Sequence, residues 1–212
     1  MQDEYRGRWK RFSVRTLLFA VTAVSVILSV WAVYVDDYRQ QSRSLAEVHR
    51  LQGHAEITPS IGHSWQRSLV TYTLGSEAYV KVTIVDLSGK QVDDATLETL
   101  TGLRHLRMLS LDQTQITDAG MEALKSFPQL RLLSLRFTNV SDASTKVIGN
   151  LPNLNYLYLT HTRITDSSIR ALAKLKHLKE LYIRWTNITD AGLERLRKAL
   201  PGTSIFHHQL EN

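Results

Sequence analysis

Cysteine is absent from the 212 residues of this chain. Without thiols the protein cannot form disulfides, a thiolate nucleophile or a cysteine-ligated zinc site. The sequence also lacks a glycine-rich phosphate-binding loop, which argues against a nucleotide site. Apolar residues, by contrast, make up 43% of the chain, and this fraction is typical of a folded protein.

The chain has little excess charge outside its N-terminus. The formal net charge is +6, but residues 1–35 hold five basic and two acidic residues, which leaves 21 basic and 18 acidic residues in 36–212. A protein that binds nucleic acid must neutralise many phosphates, and this excess is weak for that purpose. We therefore expect no nucleic-acid partner.

A long uncharged run lies close to the N-terminus. Residues 16–35 read TLLFAVTAVSVILSVWAVYV, and a helix of that length crosses the hydrocarbon core of a bilayer, about 30 Å thick. Aromatic residues, which favour membrane interfaces, flank the run at Trp9, Phe12, Trp31, Tyr34 and Tyr38. The sequence thus predicts a transmembrane helix over residues 16–35 that is embedded in the lipid bilayer.

The basic residues before the run predict its orientation. By the positive-inside rule, residues 1–15 form a cytoplasmic tail and the chain beyond Val35 lies on the non-cytoplasmic (periplasmic or extracellular) side. The alternative is a cleaved signal peptide, because Val30-Trp31-Ala32 weakly resembles a cleavage site. The run is longer than the ~7 to 15 apolar residues of a signal peptide, which favours a single-pass signal anchor. Residues 36–43 are predicted to form a short polar stalk.

A 24-residue pattern repeats through the rest of the chain, with leucines at Leu106, Leu130, Leu154 and Leu178 and with Val82 one period earlier. Four copies read L-x-x-L-x-L-x-x-T-x-I-T-D with conservative replacements, and the copy that starts at Val82 is degenerate. The pattern resembles the leucine-rich repeat family, with Thr where the family usually has Asn or Cys. The resemblance extends to bacterial single-pass membrane-anchored leucine-rich repeat proteins. It implies an α/β solenoid with parallel strands on the concave face and helices on the convex face.

The residues themselves indicate the same architecture. Leu109 and Leu111 alternate as in a strand, whereas Met121, Leu124 and Phe127 recur at helical spacing, so each unit is a strand, a turn and a helix. Five repeats over residues 82–201 exceed the three that such a stack needs.

Two polar columns accompany the leucines. We expect Asp94, Asp118, Asp142, Asp166 and Asp190 to cap the following helices rather than to bind metal. The alternative caps are the hydroxyl residues before the last four, Thr117, Ser141, Thr165 and Thr189. We expect Thr114, Thr138, Thr162 and Thr186 to bond to the backbone of buried turns.

Caps are expected at both ends of the stack. Residues 44–81 are predicted as an N-terminal cap, with a helix from Ser44 to Leu51 that stops at Gly53, the strand HAEIT, and a second helix SWQRSLVTYTLG. Its candidate plugs are Trp65, Leu69 and Tyr79. Residues 202–212 are predicted as a C-terminal cap strand and tail, the strand running from Thr203 to His207.

The outward strand positions predict a binding patch on the concave face. It comprises Arg136, Phe137, Tyr156, Tyr158, His161, Tyr182, Arg184 and Trp185. Aromatic residues and arginine are enriched in interface hot spots, although β propensity alone also favours Tyr and Trp on a sheet. We expect a membrane-tethered recognition module that binds a protein or peptide. The alternative is an envelope glycan, since sugar rings pack on aromatic side chains.

Catalysis has weaker support. Ser134, His161 and Asp112 fall on one sheet face, but no nucleophile elbow or oxyanion-hole signature accompanies them, so an unrecognised hydrolase ranks last. His105 and His177 occupy the same repeat position about 14 Å apart, too far to share a metal. We therefore expect no enzymatic activity, no cofactor and no metal site.

Overall fold

The computed structural model describes residues 14–59 and 80–207, and the chain divides into two units, Met1–Tyr38 and Arg39–Asn212. Helix α1 (Val14–Arg50) starts in the first unit and ends in the second. Most of residues 1–15, the predicted helix at 64–75 with the plugs Trp65, Leu69 and Tyr79, and the tail 208–212 lie outside the described residues.

Within the first unit, α1 exposes its apolar side chains. Phe19 is 75% exposed and Val33 70% exposed. Among the described residues, one helix, Leu18–Arg50, is long and apolar enough to cross a membrane, with a mean hydropathy of 2.3 in its most apolar window. The hydroxyls of Ser25 and Ser29 donate to the carbonyls four residues earlier at 2.9 and 2.8 Å, as expected for polar groups in an apolar helix.

The C-terminal part of α1 belongs to the repeat unit. Residues 36–43, expected as a stalk, continue the helix, and Gln41 is buried. The helix ends at Arg50, and the left-handed residue after it is Gln52, with a φ of 54°, rather than Gly53 as expected. Gly53 donates its N–H to the Val48 carbonyl at 2.9 Å, and a Cβ at Gly53 would overlap with Leu87. This glycine is therefore needed for close packing and not for a positive φ.

Seven strands form one sheet in chain order. They are β1 (His54–Pro59), β2 (Val80–Asp86), β3 (Met108–Ser110), β4 (Leu132–Ser134), β5 (Tyr156–Tyr158), β6 (Glu180–Tyr182) and β7 (Ser204–Phe206). β1 pairs with β2 in antiparallel fashion, and all later pairs are parallel and in register, so Leu109 aligns with Leu133 and Leu133 with Leu157. The strand at HAEIT and the final edge strand are confirmed.

The second half of each repeat is a short helix on the other side of the core. The α-helices are α2 (Asp94–Thr99), α3 (Asp142–Ile148), α4 (Ile169–Leu172) and α5 (Asp190–Ala199), and 3₁₀ helices cover Leu100–Gly102, Ala119–Ser126 and Asp166–Ser168. Met121, Leu124 and Phe127 are fully buried against the strand leucines. The core is thus one continuous column of apolar side chains between the sheet and the helices.

The threonine column satisfies turn backbone, as the sequence predicts. Thr114 is buried, and its hydroxyl donates to the carbonyl of Leu111 at 2.7 Å. The equivalent bonds are made by Thr138, Thr162 and Thr186. Each of these buried hydroxyls therefore has an acceptor within its own repeat.

The aspartates do not cap their own helices, contrary to one of the two sequence expectations. The hydroxyl residue before them does, as when Ser141 accepts from the N–H of Ala143. Asp142 is already the first helical residue, one position too late to cap, so its carboxylate reaches the next repeat. There Thr165 donates its N–H and its hydroxyl to Asp142 at 2.8 and 2.7 Å.

We call Asp94, Asp118, Asp142 and Asp166 the inter-repeat carboxylates, because each accepts this pair of bonds from the following repeat. Burial raises the pKa of Asp118, but hydrogen bonds from Ser141 and Ser144 outweigh it and hold that pKa below its ordinary value. Asp118 is therefore ionised and bonded, and all four carboxylates join one repeat to the next.

The residue two positions after each of the last four aspartates of the column is small for the same reason. A Cβ at Gly192 would overlap with the carboxylate of Asp166 from the preceding repeat. Where Ser144 replaces glycine, its hydroxyl donates to Asp118. Gly120 and Ser168 repeat these two arrangements. These four positions therefore hold Gly or Ser because the carboxylate of the preceding repeat leaves little space for a side chain.

Helix α1 and strand β1 close the N-terminal end of the core. Ser44 is buried and donates its hydroxyl to the Thr99 carbonyl at 2.7 Å, and Val48 is fully buried. A Cβ at Gly102 would overlap with the backbone of Gln40, so the helix approaches the first repeat closely. The expected face of Leu45, Val48 and Leu51 does pack on the core.

Candidate functional site

The concave surface consists of side chains that flank the central buried leucine of each strand. Because the strands are parallel and in register, equivalent residues lie side by side about 4.8 Å apart. The first repeats place small polar residues there, among them Ser110 and Ser134, whereas the later ones place Tyr158, Tyr182 and Phe206. The surface therefore changes from polar to aromatic along the stack.

Three rings form a strand ladder, which we define as Tyr158, Tyr182 and Phe206. The ring centroids of Tyr158 and Tyr182 are 4.6 Å apart, and those of Tyr182 and Phe206 are 4.3 Å apart. The planes differ by 20° and 13°, so both faces of the Tyr182 ring are covered. The ladder fixes the orientation of these side chains before any ligand binds.

A second set of rings forms a turn ladder, which we define as Phe137, His161 and Trp185. The His161 ring lies between the other two, with centroid distances of 4.4 and 4.7 Å. Phe137 is 50% exposed and Trp185 43% exposed, and they are the large apolar side chains that the described repeats leave exposed. The edges of these rings therefore face solvent.

The backbone of the turn ladder is left-handed. The φ angles of Phe137, His161 and Trp185 lie between 52° and 57°, a region that bulky residues rarely adopt. Gly89 occupies the same position in the first repeat, with a φ of 69°. An aromatic residue there costs on the order of 1 kcal/mol more than glycine, and strain of this kind is often found at functional sites.

Arg136 covers the end of the strand ladder. Its guanidinium carbon lies 4.3 Å from the centre of the Tyr158 ring, within cation–π distance. Its Nε is 3.9 Å from Asp112 Oδ2, and this buried nitrogen has no hydrogen-bond partner among the described residues. Asp112 in turn accepts from Ser134 Oγ at 2.5 Å and from the Arg136 N–H at 2.9 Å. Asp112 thus holds Arg136 in place through its backbone N–H and beside its side chain.

The surroundings of the strand ladder raise the pKa values of its two tyrosines. Burial raises the pKa of Tyr158, and the negative charge of Glu180 raises it further against the opposing effect of Arg136. The pKa of Tyr182 is raised by burial and by its hydrogen bond to Glu180, whose Oε2 is 3.2 Å from the phenol oxygen. Both phenols therefore keep their protons at neutral pH, and Tyr182 donates a hydrogen bond to Glu180.

The predicted patch residues fall on one face, in different columns. Tyr156 lies in the outward column between Leu132 and Glu180, away from the ladders, and Arg184 is exposed in the column of Arg136. Phe206 is a ladder member that the sequence prediction missed. It follows Tyr182 by one repeat period, and this spacing was the available signal. We define the aromatic patch as the two ladders together with Arg136 and Arg184.

The predicted trio Ser134, His161 and Asp112 does not form a nucleophile–base pair. Ser134 is buried and donates to Asp112, while the His161 ring is stacked between two aromatic rings. Within residues 14–59 and 80–207, no group of three or more His, Asp or Glu side chains is placed to hold a metal ion.

Comparison with known proteins assigns the repeats. A family model described as Leucine rich repeat matches residues 128–188, and a second one with the same description matches residues 102–125. No curated protein matches the chain.

Three solved structures illustrate the similarity. Internalin C2 of Listeria monocytogenes is 29% identical over 54% of this chain and 50% of its own, with a TM-score of 0.42. A leucine-rich repeat protein of Leptospira interrogans is 28% identical over 51% of this chain and 27% of its own, with a TM-score of 0.41. The leucine-rich repeat ectodomain of the receptor kinase SOBIR1 from Arabidopsis thaliana is 15% identical over 80% and 96%, with a TM-score of 0.49.

The match thus spans half or less of the first two of these proteins. The family models and the parallel strands of the 24-residue units agree on the fold, and a domain of this kind is suited to protein interaction. The repeats of this chain are leucine-rich repeats.

Proposed function

We propose that this protein is a membrane-tethered, non-catalytic recognition module that binds a protein or peptide with the aromatic patch. The observation that carries the proposal is the pair of stacked ladders on an otherwise polar concave face. Aromatic anchors held rigid before binding lose little entropy on complex formation, which is how hot spots contribute affinity.

β propensity, the simpler explanation for exposed aromatic residues, does not account for the turn ladder. Phe137, His161 and Trp185 lie in turns, outside the strands, so a preference for pleated sheet does not account for them. They also occupy a left-handed conformation in which glycine is less strained. A surface that accepts this cost in successive repeats is better explained by recognition.

The ladder geometry favours a polypeptide over the alternative, an envelope glycan. Sugars pack their apolar face on the face of a ring, but both faces of Tyr182 and of His161 are covered by neighbouring rings. What the ladders present are ring edges, phenol hydroxyls and a guanidinium, which suit the backbone and side chains of a peptide.

We also propose that α1 anchors the domain, with the N-terminus in the cytoplasm and the repeats on the other side. Support comes from its exposed apolar surface and from the five basic residues before or at its start. Alkaline carbonate extraction and N-terminal sequencing of the mature protein test the anchor. Release from membranes, or a mature N-terminus at Val33, would contradict it.

A random 12-residue peptide library selected against the detergent-solubilised full chain tests recognition. The variant Tyr158→Ala/Tyr182→Ala/Trp185→Ala is expected to lose all enrichment, with only a small fall in melting temperature because these side chains lie outside the leucine core. The control Lys146→Ala/Arg170→Ala/Lys174→Ala changes the convex groove that these residues line and should enrich the same peptides.

Equal loss of enrichment in the control, or unchanged enrichment in the patch variant, would refute the proposed site. Soluble envelope oligosaccharides added during selection separate the two ligand classes. A glycan ligand would displace bound peptide in a dose-dependent manner, whereas a peptide-specific patch would not respond.

A further inference from the structure

We propose that the partner segment is acidic and that Arg136 and Arg184 bind its carboxylates. This inference rests on the proposed function and deepens it by naming the chemistry of the ligand. Two observations support it: an arginine held in place with donors to spare, and a second arginine in the same column. An excess of basic residues in the chain between them agrees with it.

Arg136 forms an ion pair with Asp112 but keeps hydrogen-bond donors to spare. The Tyr158 ring lies under its guanidinium, and Asp112 lies beside Nε at 3.9 Å, beyond hydrogen-bond distance. Asp112 Oδ1 is already occupied by Ser134 and by the backbone. Since Nε is buried while the side chain as a whole is 41% exposed, the exposure belongs to other atoms of the arginine. No hydrogen bond from its terminal nitrogens is found in the described part of the chain, so they remain for a ligand.

Arg184 extends the same donor column. It lies two repeats from Arg136, about 10 Å along the sheet, with Thr160 between them. Arg184 is exposed and forms no ion pair with a described residue. Two planar guanidinium groups at this spacing can each form paired hydrogen bonds with a carboxylate of an extended peptide laid across the repeats.

Positive charge is concentrated in the stretch of chain between the two arginines, although Lys146, Arg170 and Lys174 of this stretch line the convex groove. Residues 143–179 hold six basic residues and one acidic residue, whereas the other residues of 36–212 hold 15 basic and 17 acidic ones. The single acid, Asp166, is already bonded to Thr189 and to Arg195 at 2.8 Å. The net positive charge of these repeats favours the approach of an acidic segment, and the two arginines of the concave column determine where it binds.

The test compares an acidic peptide with its uncharged counterpart. A peptide selected from the random library by the full chain is synthesised twice, once as found and once with every Asp and Glu replaced by Asn and Gln. We expect selected peptides to be rich in Asp and Glu, and the amide version to bind at least about tenfold more weakly, as the loss of a charge-assisted hydrogen bond implies.

Three variants assign this preference to residues. Arg136→Gln and Arg184→Gln should each reduce the ratio of the affinities for the acidic peptide and its amide version by about tenfold. The affinity for the amide version should stay nearly unchanged. Arg170→Gln removes an exposed arginine of the convex side and should change the affinity for neither peptide. Arg136→Lys should recover part of the preference, because it keeps the charge and loses the planar fork. Melting curves confirm that each variant is folded.

The outcomes separate this inference from the proposed function. Selected peptides without acidic residues, or equal affinity for the two versions, would overturn the inference and leave peptide recognition intact. A preference equally reduced by Arg170→Gln would overturn the assignment to the concave column. Failure to select any peptide that depends on Tyr158, Tyr182 and Trp185 would overturn the proposed function as well.

Discussion

Two polar features run along the same stack of repeats, and they differ in how their hydrogen bonds are used. Donors from the next repeat surround the inter-repeat carboxylates. Asp142, for example, accepts hydrogen bonds from both Thr165 and Ser168. On the concave face, the terminal nitrogens of Arg136 form no hydrogen bond with a described residue, and Phe137 and Trp185 are exposed. Saturated polar groups hold the repeats together, whereas groups with unused capacity are available to a partner.

The sequence shows the same division. The carboxylates are identical in every copy because each has the same structural task, while the concave residues change from Asp112-Gln113 to Arg184-Trp185. If this division is correct, substitutions in the first set should cost stability without a specific effect on binding. Substitutions in the second set should cost binding with little effect on stability.

The largest effect is expected from Asp142→Ala. The substitution removes the acceptor for Thr165 and for the fully buried Ser168, so buried donors lose their partners. We expect a loss of about 3 kcal/mol, a fall of roughly 6–12 °C in melting temperature. Differential scanning calorimetry provides the measurement.

The last aspartate of the column supplies the control for that experiment. Asp190 occupies the same position in the final repeat, is exposed, and its carboxylate has no hydrogen-bond donor among the described residues. Asp190→Ala should therefore cost less than about 1 kcal/mol, the value of a charge near a helix start. Equal destabilisation by the two variants would show that the aspartates act on their own helices after all.

A somewhat smaller loss is expected from Gly192→Ala. Alanine favours helices over glycine by about 1 kcal/mol, but a Cβ here would overlap with Asp166 of the preceding repeat. We expect a net destabilisation of about 1–2 kcal/mol in urea unfolding, because backbone and carboxylate must move apart. Gly202→Ala places its Cβ in open space and should be neutral. A stabilised Gly192→Ala protein would contradict the close contact between repeats.

How far the sequence predicts this molecule depends on the kind of feature. The strands at Leu109 and Leu133 and the buried threonines are predictable, because period and residue type allow one arrangement. The role of Asp142 is not, since an aspartate beside a helix start suits both a cap and a bond to the next repeat. The distance between stacked repeats decides it, and that distance is a property of the folded chain.

The candidate site shows the same limit. The aromatic residues of the patch are visible in the sequence, but their stacking is not, and Phe206 lies in an incomplete unit that lacks the leucine signature. The unpaired nitrogen of Arg136 depends on a single side-chain conformation above Tyr158. The structure therefore adds which side chains support one another and which have capacity left.

Acid should weaken the repeat contacts more gently than substitution does. Despite their burial, the pKa values of Asp118 and Asp142 are lowered by hydrogen bonds from the next repeat. A lowered pKa in the folded state contributes stability that is complete above the ordinary value of about 4 and is lost as the pH falls through the folded value. We expect the melting temperature to be flat near neutral pH and to decline below pH about 4. Asp142→Asn should reduce that decline, and an unchanged acid profile in this variant would contradict the assignment.

Trp185→Gly is expected to have the smallest effect on stability and the largest difference between its effects on stability and on peptide binding. Glycine relieves the left-handed backbone at this position, while the lost stacking on His161 removes a contribution of similar size, about 1 kcal/mol. The two effects oppose each other, so the melting temperature should stay within about 2 °C of the wild-type value. Peptide binding should nevertheless fall at least about tenfold, because an exposed aromatic anchor is gone. Trp185→Phe keeps a stacked ring and should retain most of the affinity. If Trp185→Gly binds as well as the wild type, the turn ladder is a structural covering of the sheet, and the concave face loses its distinction from the carboxylates that build the stack.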